Sequence, residues 1–544
     1  MKHLTLFAVL AAFAGCSVDS KEPDDFVLDR DAPRIEIVSP TRGTIAGDVT
    51  HVLVTGTTTD DTGLVASVRV NGVPAVLGDD GTWLANVPVA PGTTLLHAIA
   101  LDSEGNRGEQ TRAVVAGPMV ELDRQVESGI RAAISAPALL ALGHRTETFI
   151  ASGGLMTAVQ DMNPVVDVGG GPDCLYGQAS ITSLTVGHSD VVTAPTSDGI
   201  MVSAVLDDLR VGLHLQWAVS CIEDSRDVEV LAQRVTVQGL LTVGVADRAL
   251  DVRFADPSVQ VTGFDPQLPD VPAGVVQLFH LDAALGPILG SLTERVVAPM
   301  ASRTLGVLDE TRAIDVAGTQ VDVDIEPTEI RFSPQGAEIV LDTSLRARGD
   351  HGEFVFASTF APALGTKLGV ELAIADDAAN QLLTSLWSAR AFDTELDLES
   401  GSFGAIGELY DAVQLQLLVP PHVDASTRPL ALTFGDWIAT FKRDGIGEAT
   451  VVIHATTDLY VVTGDDGRLH MNVSTPAVGI DLAGDRGWIS KGQYDAILAF
   501  AIDHVTTVGS SAVAAIPVPV IGDATPDLWV EPDAGYLLVT GDVE

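Results

Sequence analysis

The segment 209–221 alternates apolar and polar side chains for longer than an ordinary strand. Its apolar positions are Leu209, Val211, Leu213, Leu215, Trp217, Val219 and Cys221, and the positions between them include Arg210, His214, Gln216 and Ser220. A period of two predicts a β-strand with one buried face. At about 3.3 Å per residue the strand extends for roughly 40 Å. We therefore expect a large, strongly bent sheet, with Cys221 in register with its apolar face.

The same alternation recurs at 235–245, 250–254 and 321–325. Other segments have apolar residues three and four apart, which predicts helices. They are 122–134, which precedes the helix breaker Pro137; 278–296; 377–392, with Asp376 as N-cap; and 494–505. The order of helices and long strands therefore repeats one plan twice.

Residues 1–15 have the organisation of a secretory signal peptide. Lys2 and His3 form a short charged start, and residues 4–15 are apolar or small. This run is shorter than the roughly 20 residues that span a bilayer. The sequence Phe13-Ala14-Gly15-Cys16 resembles the lipobox of bacterial lipoproteins, with Phe13 in place of the usual Leu.

The lipobox resemblance implies cleavage before Cys16 and acylation of the new N-terminus. Ser17, where an Asp would retain the protein at the inner membrane, implies transport to the outer membrane. Residues 16–30 are polar and acidic and are expected to form an acylated tether. Each buried acyl methylene contributes about 0.8 kcal/mol, so a multiply acylated anchor is durable. The alternative is an ordinary secretory signal with an incidental cysteine.

Two cysteines, Cys174 and Cys221, remain once Cys16 is assigned to the anchor. Export to an oxidising compartment permits a disulfide between them. Chain-entropy arguments credit closure of a loop of about 47 residues with about 4 kcal/mol. Two unpaired thiols are the alternative.

The charge balance excludes some partners. The chain has 74 acidic and 30 basic residues, for a formal net charge of −44. Nucleic acid is therefore not an expected partner, because its binding depends on Lys and Arg that displace counterions. A broad basic patch for anionic headgroups is not expected either. With 46% hydrophobic residues, the chain can still form large cores.

Residues 31–117 consist of short alternating segments separated by turn signals. Asn71-Gly72 and Asp80-Gly81 are typical of tight hairpins, and this strand spacing predicts a β-sandwich. The order "VTGTTTDDTGLVASVRVNGVPA" followed by "DGTWLANVPVAPG" resembles bacterial Ig-like modules. Such a module would act as a spacer or an adhesive surface.

Several side chains of this module carry oxygen ligands of the kind that calcium prefers: Asp60, Asp61, Asp102, Glu104 and Asn106. Their spacing matches no established ligand loop. The preferred interpretation is that they are turn residues whose side chains bond nearby backbone.

The sequence lacks the common catalytic motifs. G-x-S-x-G, H-E-x-x-H and G-x-x-x-x-G-K-[ST] are absent. His188, Ser189 and Asp190 are consecutive, so their side chains point apart and cannot form a relay. The 12 histidines show no metal-ligand spacing. We therefore expect a protein that is not an enzyme and holds neither a metal nor a cofactor.

Two tandem units of helix and long strands resemble the family of bactericidal/permeability-increasing protein, lipopolysaccharide-binding protein and cholesteryl ester transfer protein. The segments that carry the resemblance are "GVELAIADDAANQLLTSLWSARAFDTEL", "VQLQLLVPPHVDASTRPLALTF", "IPVPVIGDATPDLWVEPDAGYLLVTGDVE" and "VVQLFHLDAALGPILGSLTERVVAPM". The last is similar to the long helix that closes the family's N-terminal tube. An unrelated large β-sandwich or barrel array is the alternative.

The resemblance implies an α+β fold: two tubular lipid-binding domains, residues 118–312 and 313–544, each a long bent antiparallel sheet around a long helix, arranged as a boomerang with a central sheet. The all-β Ig-like sandwich of residues 31–117 precedes them. The family's single disulfide lies within the N-terminal tube, which implies a Cys174–Cys221 bridge.

In this family each tube holds lipid acyl chains in an apolar pocket, so the resemblance implies a bound phospholipid or other lipid. Burying a methylene contributes about 0.8 kcal/mol, so binding depends more on an apolar cavity than on particular polar residues. The residues predicted to line the pockets are Ile130, Ile134, Leu278, Leu285, Ile288, Leu382, Leu386, Ile497 and Ala501. Ordinary core packing is the alternative for each.

The sequence therefore predicts a lipid-anchored bacterial surface protein that binds, and transfers or presents, a lipid or other hydrophobic ligand. Its membrane partner is reached through acylated Cys16. The segment 174–275 lacks a cluster of Lys and Arg, so endotoxin neutralisation is not implied. The alternatives are a non-enzymatic adhesin or envelope scaffold with tubes filled by side chains, and a subunit of an envelope assembly.

Overall fold

The computed structural model describes residues 29–541 except 62–63, 161, 170–174, 280–309, 317, 358–361, 366–368, 399–402, 427–429, 445–446, 464–468, 483–489, 515–528 and 534. Contacts divide the chain into two compact units. The first includes Leu53–Asn86 and His97–Gln110, and the second includes Pro40–Val52, Val87–Leu96 and the chain from Thr111 onward. The signal peptide and Cys16 lie outside the described residues, and the predicted domain boundaries stay predictions.

The first part of the described chain forms two sheets. Its strands are β1 Arg34–Ser39, β2 Thr44–Gly47, β3 His51–Thr59, β4 Val65–Val70, β5 Val73–Pro74, β6 Val76–Leu77, β7 Thr82–Pro88, β8 Gly92–Asp102 and β9 Arg107–Ala116. One sheet has the order β1-β3-β7-β6 and the other β2-β9-β8-β4-β5. Asn71 and Gly72 both have positive φ, as the predicted tight turn requires. The Ig-like identity stays a prediction.

Long strands dominate the next part. The elements are β10 Met119–Glu121, β11 Val126–Ser135, α1 Ala136–Ala151, α2 Gly154–Gln160, β12 Val166–Gly169, β13 Tyr176–Thr185, β14 His188–Pro195, β15 Ile200–Val219, β16 Ile222–Ala246, β17 Ala249–Thr262, β18 Asp265–Gln267 and α3 Ala273–Phe279. Strands β12 to β18 form what we call the N-terminal sheet, with the order β12-β13-β15-β16-β17 and with β14 on β15 and β18 on β16. Strands β15 and β16 have 20 and 25 residues, which confirms the predicted long strand.

The remaining elements belong mainly to two further sheets. They are β19 Glu310–Val316, β20 Thr319–Ser333, β21 Gly336–Ala347, β22 Glu353–Val355, β23 Val370–Ala375, α4 Asp376–Ser388, β24 Thr394–Asp397, α5 Ala405–Leu409, β25 Ala412–Leu417, β26 His422–Asp424, β27 Ala431–Arg443, β28 Gly447–Thr463, β29 Leu469–Val473, β30 Ala477–Leu482, α6 Lys491–Ala514, β31 Trp529–Asp533 and β32 Tyr536–Gly541. The central sheet has the order β19-β20-β21-β11-β23-β32-β31. Strands β24 to β30 form the C-terminal sheet, with the order β24-β25-β27-β28-β29 and with β26 on β27 and β30 on β28. The structure is mostly β, with few helices and curled half-barrel sheets.

The helix predicted over 122–134 is wrong. Residues Val126–Ser135 form β11, which pairs with β21 and β23 in the middle of the central sheet. A register shift between Val126 and Ile130 interrupts the alternation of this strand, and Ala132 and Ala133 are both buried. Its apolar residues therefore fall at helix-like spacings, and periodicity alone does not identify the strand. Pro137 does not end a helix but lies in the first turn of α1, where its missing N–H costs nothing.

The expectation that Cys221 is buried on the apolar face is also wrong. Ser220 and Cys221 have φ of 54° and 63° and form the two-residue turn between β15 and β16, and Cys221 is exposed. Cys221 is disulfide-bonded. Because Cys174 lies outside the described residues, the Cys174–Cys221 pairing stays a prediction.

Helix α4 is confirmed but begins differently from the prediction. Ala375, not Asp376, is the N-cap, and no side chain caps the helix. The buried Asp376 instead accepts a hydrogen bond from Ala425 N through Oδ2 at 3.0 Å. Asn380 exchanges two hydrogen bonds with the backbone of Val423, at 2.8 and 2.9 Å. These bonds attach α4 to the segment that enters the C-terminal sheet.

Helix α6 confirms the helix predicted over 494–505. It is long and apolar enough to cross a membrane, but nearly half of its apolar stretch is buried within the protein. Its buried residues recur three and four apart: Ala496, Ile497, Phe500, Ala501, Val505, Gly509, Ala512 and Val513. This spacing is that of a core helix with one packed face.

Candidate functional site

The buried face of the N-terminal sheet is mainly aliphatic. On its two longest strands it includes Leu209, Val211, Leu213, Leu215 and Trp217 of β15 and Val228, Val230, Ala232 and Val235 of β16. Intervening residues such as Arg210 and Gln216 are exposed. The alternation thus gives the sheet one apolar and one polar side, as the sequence predicts.

This apolar face continues into solvent at the hairpin that joins β15 to β16. Val219 lies two residues beyond Trp217, so both side chains point to the same side of the strand. Val219 pairs with Ile222 across the turn, and Leu175 directly precedes the neighbouring strand β13. Leu175, Val219 and Ile222 are 47%, 41% and 74% exposed. We call these three residues the apolar lip.

Helix α1 is fixed to strand β14 of the N-terminal sheet by polar contacts. Thr193 Oγ1 donates to Leu139 O at 2.6 Å, and Val191 N donates to Glu147 Oε1 at 2.7 Å. The hydrogen bond from Val191 N lowers the pKa of the Glu147 carboxyl, against the opposing effect of burial. These contacts hold one end of the sheet in place.

The C-terminal sheet is packed differently, by rings. Phe434, Trp437 and Phe441 of β27 are at most 1% exposed. The ring centroids of Phe441 and Phe500 are 5.6 Å apart, and those of Trp437 and His504 are 5.1 Å apart. Phe500 and His504, both from α6, stack with an interplanar angle of 10°. We call these five residues the aromatic cluster.

A bulge in β27 determines which side chains enter the aromatic cluster. Phe434 and Trp437 pair with positions 455 and 453 of β28, so Gly435 and Asp436 together oppose the single residue His454. The extra residue shifts the alternation of β27. Phe434 and Trp437 can therefore stack with centroids 5.4 Å apart, although they are three positions apart in a strand.

Arg42 holds the bulge through a buried ion pair. Its Nη1 lies 2.5 Å from Asp436 Oδ1, and Gly43 N donates to Asp436 Oδ2 at 3.2 Å. The Asp436 side chain is fully buried and that of Arg42 is 18% exposed. A second carboxylate, Asp481, lies 3.8 Å from Arg42 Nη2 and 3.4 Å from His454 Nε2. The ion pair thus connects the bulge to Arg42, which lies 394 positions earlier in the sequence.

Two ring nitrogens of the aromatic cluster, Trp437 Nε1 and His504 Nε2, are buried and lack a hydrogen-bond partner in the described part of the chain. Burial lowers the pKa of His504 to about 4, so its imidazole is neutral at pH 7. By contrast, Trp387 Nε1 donates to Leu417 O at 2.8 Å. A buried polar group without a partner costs about 1–3 kcal/mol, and the aromatic cluster holds two such groups on neighbouring rings.

The predicted pocket residues occupy three different settings. Those described are at most 3% exposed: Ile130 and Ile134 on β11, Leu382 and Leu386 on α4, and Ile497 and Ala501 on α6. Leu278 belongs to α3, but its side chain lies outside the described residues, as do Leu285 and Ile288 entirely. Ile130 and Ile134 therefore lie in the central sheet rather than on a helix. Their lining of a pocket, like that of the other seven predicted residues, stays a prediction.

Sequence reasoning missed Arg42, Asp436, Trp437 and His504. One signal was present, because Gly435-Asp436 interrupts the apolar alternation in "LTFGDWIATF", as a bulge does. The ion pair carried no such signal, since 394 positions separate its two residues.

The acidic residues considered as calcium ligands are partly brought together. One carboxylate oxygen from each of Asp29, Asp102 and Glu104 lies within 4.8 Å of the others. Asp102 accepts from Asn106 N and Nδ2, both at 2.7 Å. The Asp102–Asn106 bonds fit the preferred interpretation of turn residues.

No family model matches the chain, and no curated protein matches it. Among solved structures, lipopolysaccharide binding protein is 13% identical, with 77% of this chain and 99% of that chain covered and a TM-score of 0.38. P47 of Clostridium botulinum E1 is 6% identical, with 77% and 100% covered and a TM-score of 0.22. Latherin is 13% identical, with 34% and 96% covered and a TM-score of 0.14. These values assign the chain to no family, so its function is argued from its own residues.

Proposed function

We propose that this chain binds a lipid or another hydrophobic ligand along the aliphatic face of the N-terminal sheet. The observation that carries the proposal is the continuity of this face with the apolar lip. Contiguous exposed apolar side chains are typical of contact sites for apolar partners. Flexible acyl chains suit an aliphatic surface, because each sheltered methylene contributes about 0.8 kcal/mol without a specific polar contact.

In the wider proposal the chain is a lipid-anchored protein of the bacterial envelope that transfers or presents its ligand without catalysing a reaction. Its curled sheets form two tandem tubular domains, preceded by an Ig-like module. Acylated Cys16 would keep the carrier beside a donor or acceptor membrane. The net charge of −44 favours a neutral, zwitterionic or metal-bridged lipid, since an anionic headgroup would be repelled.

The test uses the purified full chain and vesicles of phosphatidylcholine with a fluorescent acyl chain. We expect the chain to take up the lipid and to yield bound lipid on solvent extraction and mass spectrometry. The double variant Val219→Ser/Ile222→Ser should slow uptake several-fold with little change in melting temperature, because both side chains are already exposed.

The control is Leu64→Ser, which removes an aliphatic side chain that is 83% exposed in the other compact unit. Uptake by this variant should equal that of the unmodified chain. The proposal fails if the unmodified chain neither takes up nor yields lipid. If the lip variant matches Leu64→Ser, the lip is not the route of the ligand.

A second candidate function is a surface adhesin or envelope scaffold. Exposed aliphatic side chains in the first compact unit favour it, because Leu53, Leu64 and Val76 are more than half exposed and available to a surface partner. In that case the triple variant Leu53→Ser/Leu64→Ser/Val76→Ser should abolish attachment of cells that display the protein. A lipid carrier should retain its lipid uptake in the same variant.

A further inference from the structure

The aromatic cluster contains a pair of polar atoms that its packing does not explain. Trp437 Nε1 is an obligatory donor, and His504 Nε2 is a donor or an acceptor according to the tautomer. Neither has a partner in the described part of the chain. Trp437 is 1% exposed, so bulk water does not satisfy its N–H.

The bulge makes this arrangement specific. If residues 434–437 formed a regular strand, Trp437, three positions after Phe434, would point to the opposite face of β27. A buried ion pair, Arg42–Asp436, thus stabilises a bulge that places an unpaired N–H inside an apolar core. A phenylalanine would fill the same position without the cost of an unpaired donor.

The chemistry of the pair selects the group that would satisfy it. A hydroxyl can accept a hydrogen bond from Trp437 Nε1 and can donate one to the neutral imidazole at Nε2, so the same functional group matches both atoms. A carboxylate or phosphate lacks a compensating cation, because His504 is neutral and its sequence neighbour Asp503 is acidic. A hydrocarbon leaves both nitrogens unpaired.

We infer that the aromatic cluster binds the hydroxyl group of an uncharged hydrophobic alcohol, with Trp437 as donor and His504 as acceptor. The aliphatic part of the ligand would contact the surrounding rings. This site belongs to the C-terminal sheet and requires nothing of the lip or of the N-terminal sheet, so either proposal can fail alone.

The experiment follows the indole itself in the full chain. The protein contains six tryptophans, and incorporation of 5-fluorotryptophan gives each a fluorine resonance. Trp437→Phe identifies the resonance of Trp437 by its loss. We expect 1-dodecanol to shift that resonance, and we expect dodecane of the same chain length to leave it in place.

Affinities are compared by the binding of the same two probes to variants. Trp437→Phe and His504→Phe keep a ring in place and remove the nitrogen, and each should weaken dodecanol binding at this site by about 3- to 10-fold relative to dodecane, the value of one hydrogen bond. Trp387→Phe is the matched control, because its N–H is already bonded to Leu417 O, and it should leave the ratio unchanged.

Two outcomes would overturn the inference. In the first, dodecanol leaves the Trp437 resonance unmoved, which shows that the alcohol does not reach the indole. In the second, dodecanol and dodecane bind the variants in the same ratio as the unmodified chain, which removes any role for the hydroxyl.

Discussion

Asp376 shows how a single residue can make the stability of this protein depend on pH. Burial raises the pKa of the Asp376 carboxyl to about 7, although the hydrogen bond from Ala425 N opposes the shift. The like charges of Asp377 and Asp424 raise it further. The carboxyl is therefore protonated in the folded state at pH values where it is ionised in the unfolded state.

We predict that Asp376 destabilises the protein as pH rises from about 4 to about 7. The unfolded state loses its proton near the ordinary pKa of 3.8, and the folded state keeps it until about 7. Between these values the folded state binds more protons, so the free energy of unfolding falls with pH, by on the order of 4 kcal/mol in total. Denaturant titrations at several pH values measure it.

The variant Asp376→Asn isolates this contribution, because it keeps an oxygen for Ala425 N and does not titrate. Its stability should lack the decline between pH 4 and 7 that the unmodified chain shows. Parallel curves for the two proteins would show that Asp376 is ionised in both states.

At the scale of elements, the bulge of β27 depends on a residue outside its own sheet. Arg42 pairs with the fully buried Asp436, while Arg348 and Asp322 form a pair whose side chains are 63% and 58% exposed. Removing one partner of a buried pair leaves an uncompensated charge, whereas an exposed charge remains solvated. The two pairs therefore form a natural comparison.

We predict that Arg42→Ala lowers the free energy of unfolding by about 3 kcal/mol. The matched change Arg348→Ala should cost less than about 1 kcal/mol. Chemical denaturation measures both. Arg42→Ala should also move the fluorine resonance of Trp437, since the bulge places that ring. Equal costs for the two variants would mean that Asp436 does not need its partner.

Elements also show where periodicity misled the prediction. The buried residues of helix α6 recur three and four apart, so the helical period identifies it. In strand β11 a register shift between Val126 and Ile130 interrupts the alternation. In β11 both Ala132 and Ala133 are at most 1% exposed, because neighbouring elements cover both faces of the central sheet. A strand buried in this way carries no alternation in its sequence.

At the scale of the whole molecule, charge is the dominant property. The 44 excess negative charges repel one another more strongly in the compact folded state than in the expanded unfolded state. Salt shortens the range of this repulsion, from roughly 30 Å at 0.01 M to about 8 Å at 0.15 M. Ionic strength should therefore affect the stability of the protein.

We predict that the melting temperature rises as sodium chloride is increased from about 0.01 M to about 0.15 M. Potassium chloride at equal ionic strength serves as the control and should have the same effect, because screening does not depend on the identity of a monovalent ion. Differential scanning calorimetry measures both. A melting temperature that stays constant or falls would contradict net self-repulsion.

Features that depend on local pattern could be predicted from the residues alone. Alternation identified the long strands β15 and β16, and helical period identified α4 and α6, because each keeps a polar and an apolar side that the residues display directly. Charge and composition likewise set the expected class of partner. None of these properties requires knowledge of which residues meet.

Contacts between distant residues, by contrast, became visible only in the folded chain. The tertiary structure placed β11 between β21 and β23, turned Cys221 out of the apolar face, and brought Arg42 to Asp436 across 394 positions. It also placed the ring of Trp437 beside that of His504, with Trp437 Nε1 and His504 Nε2 buried. Strand order and long-range pairing come from the total burial of the folded chain, and no local spacing records them.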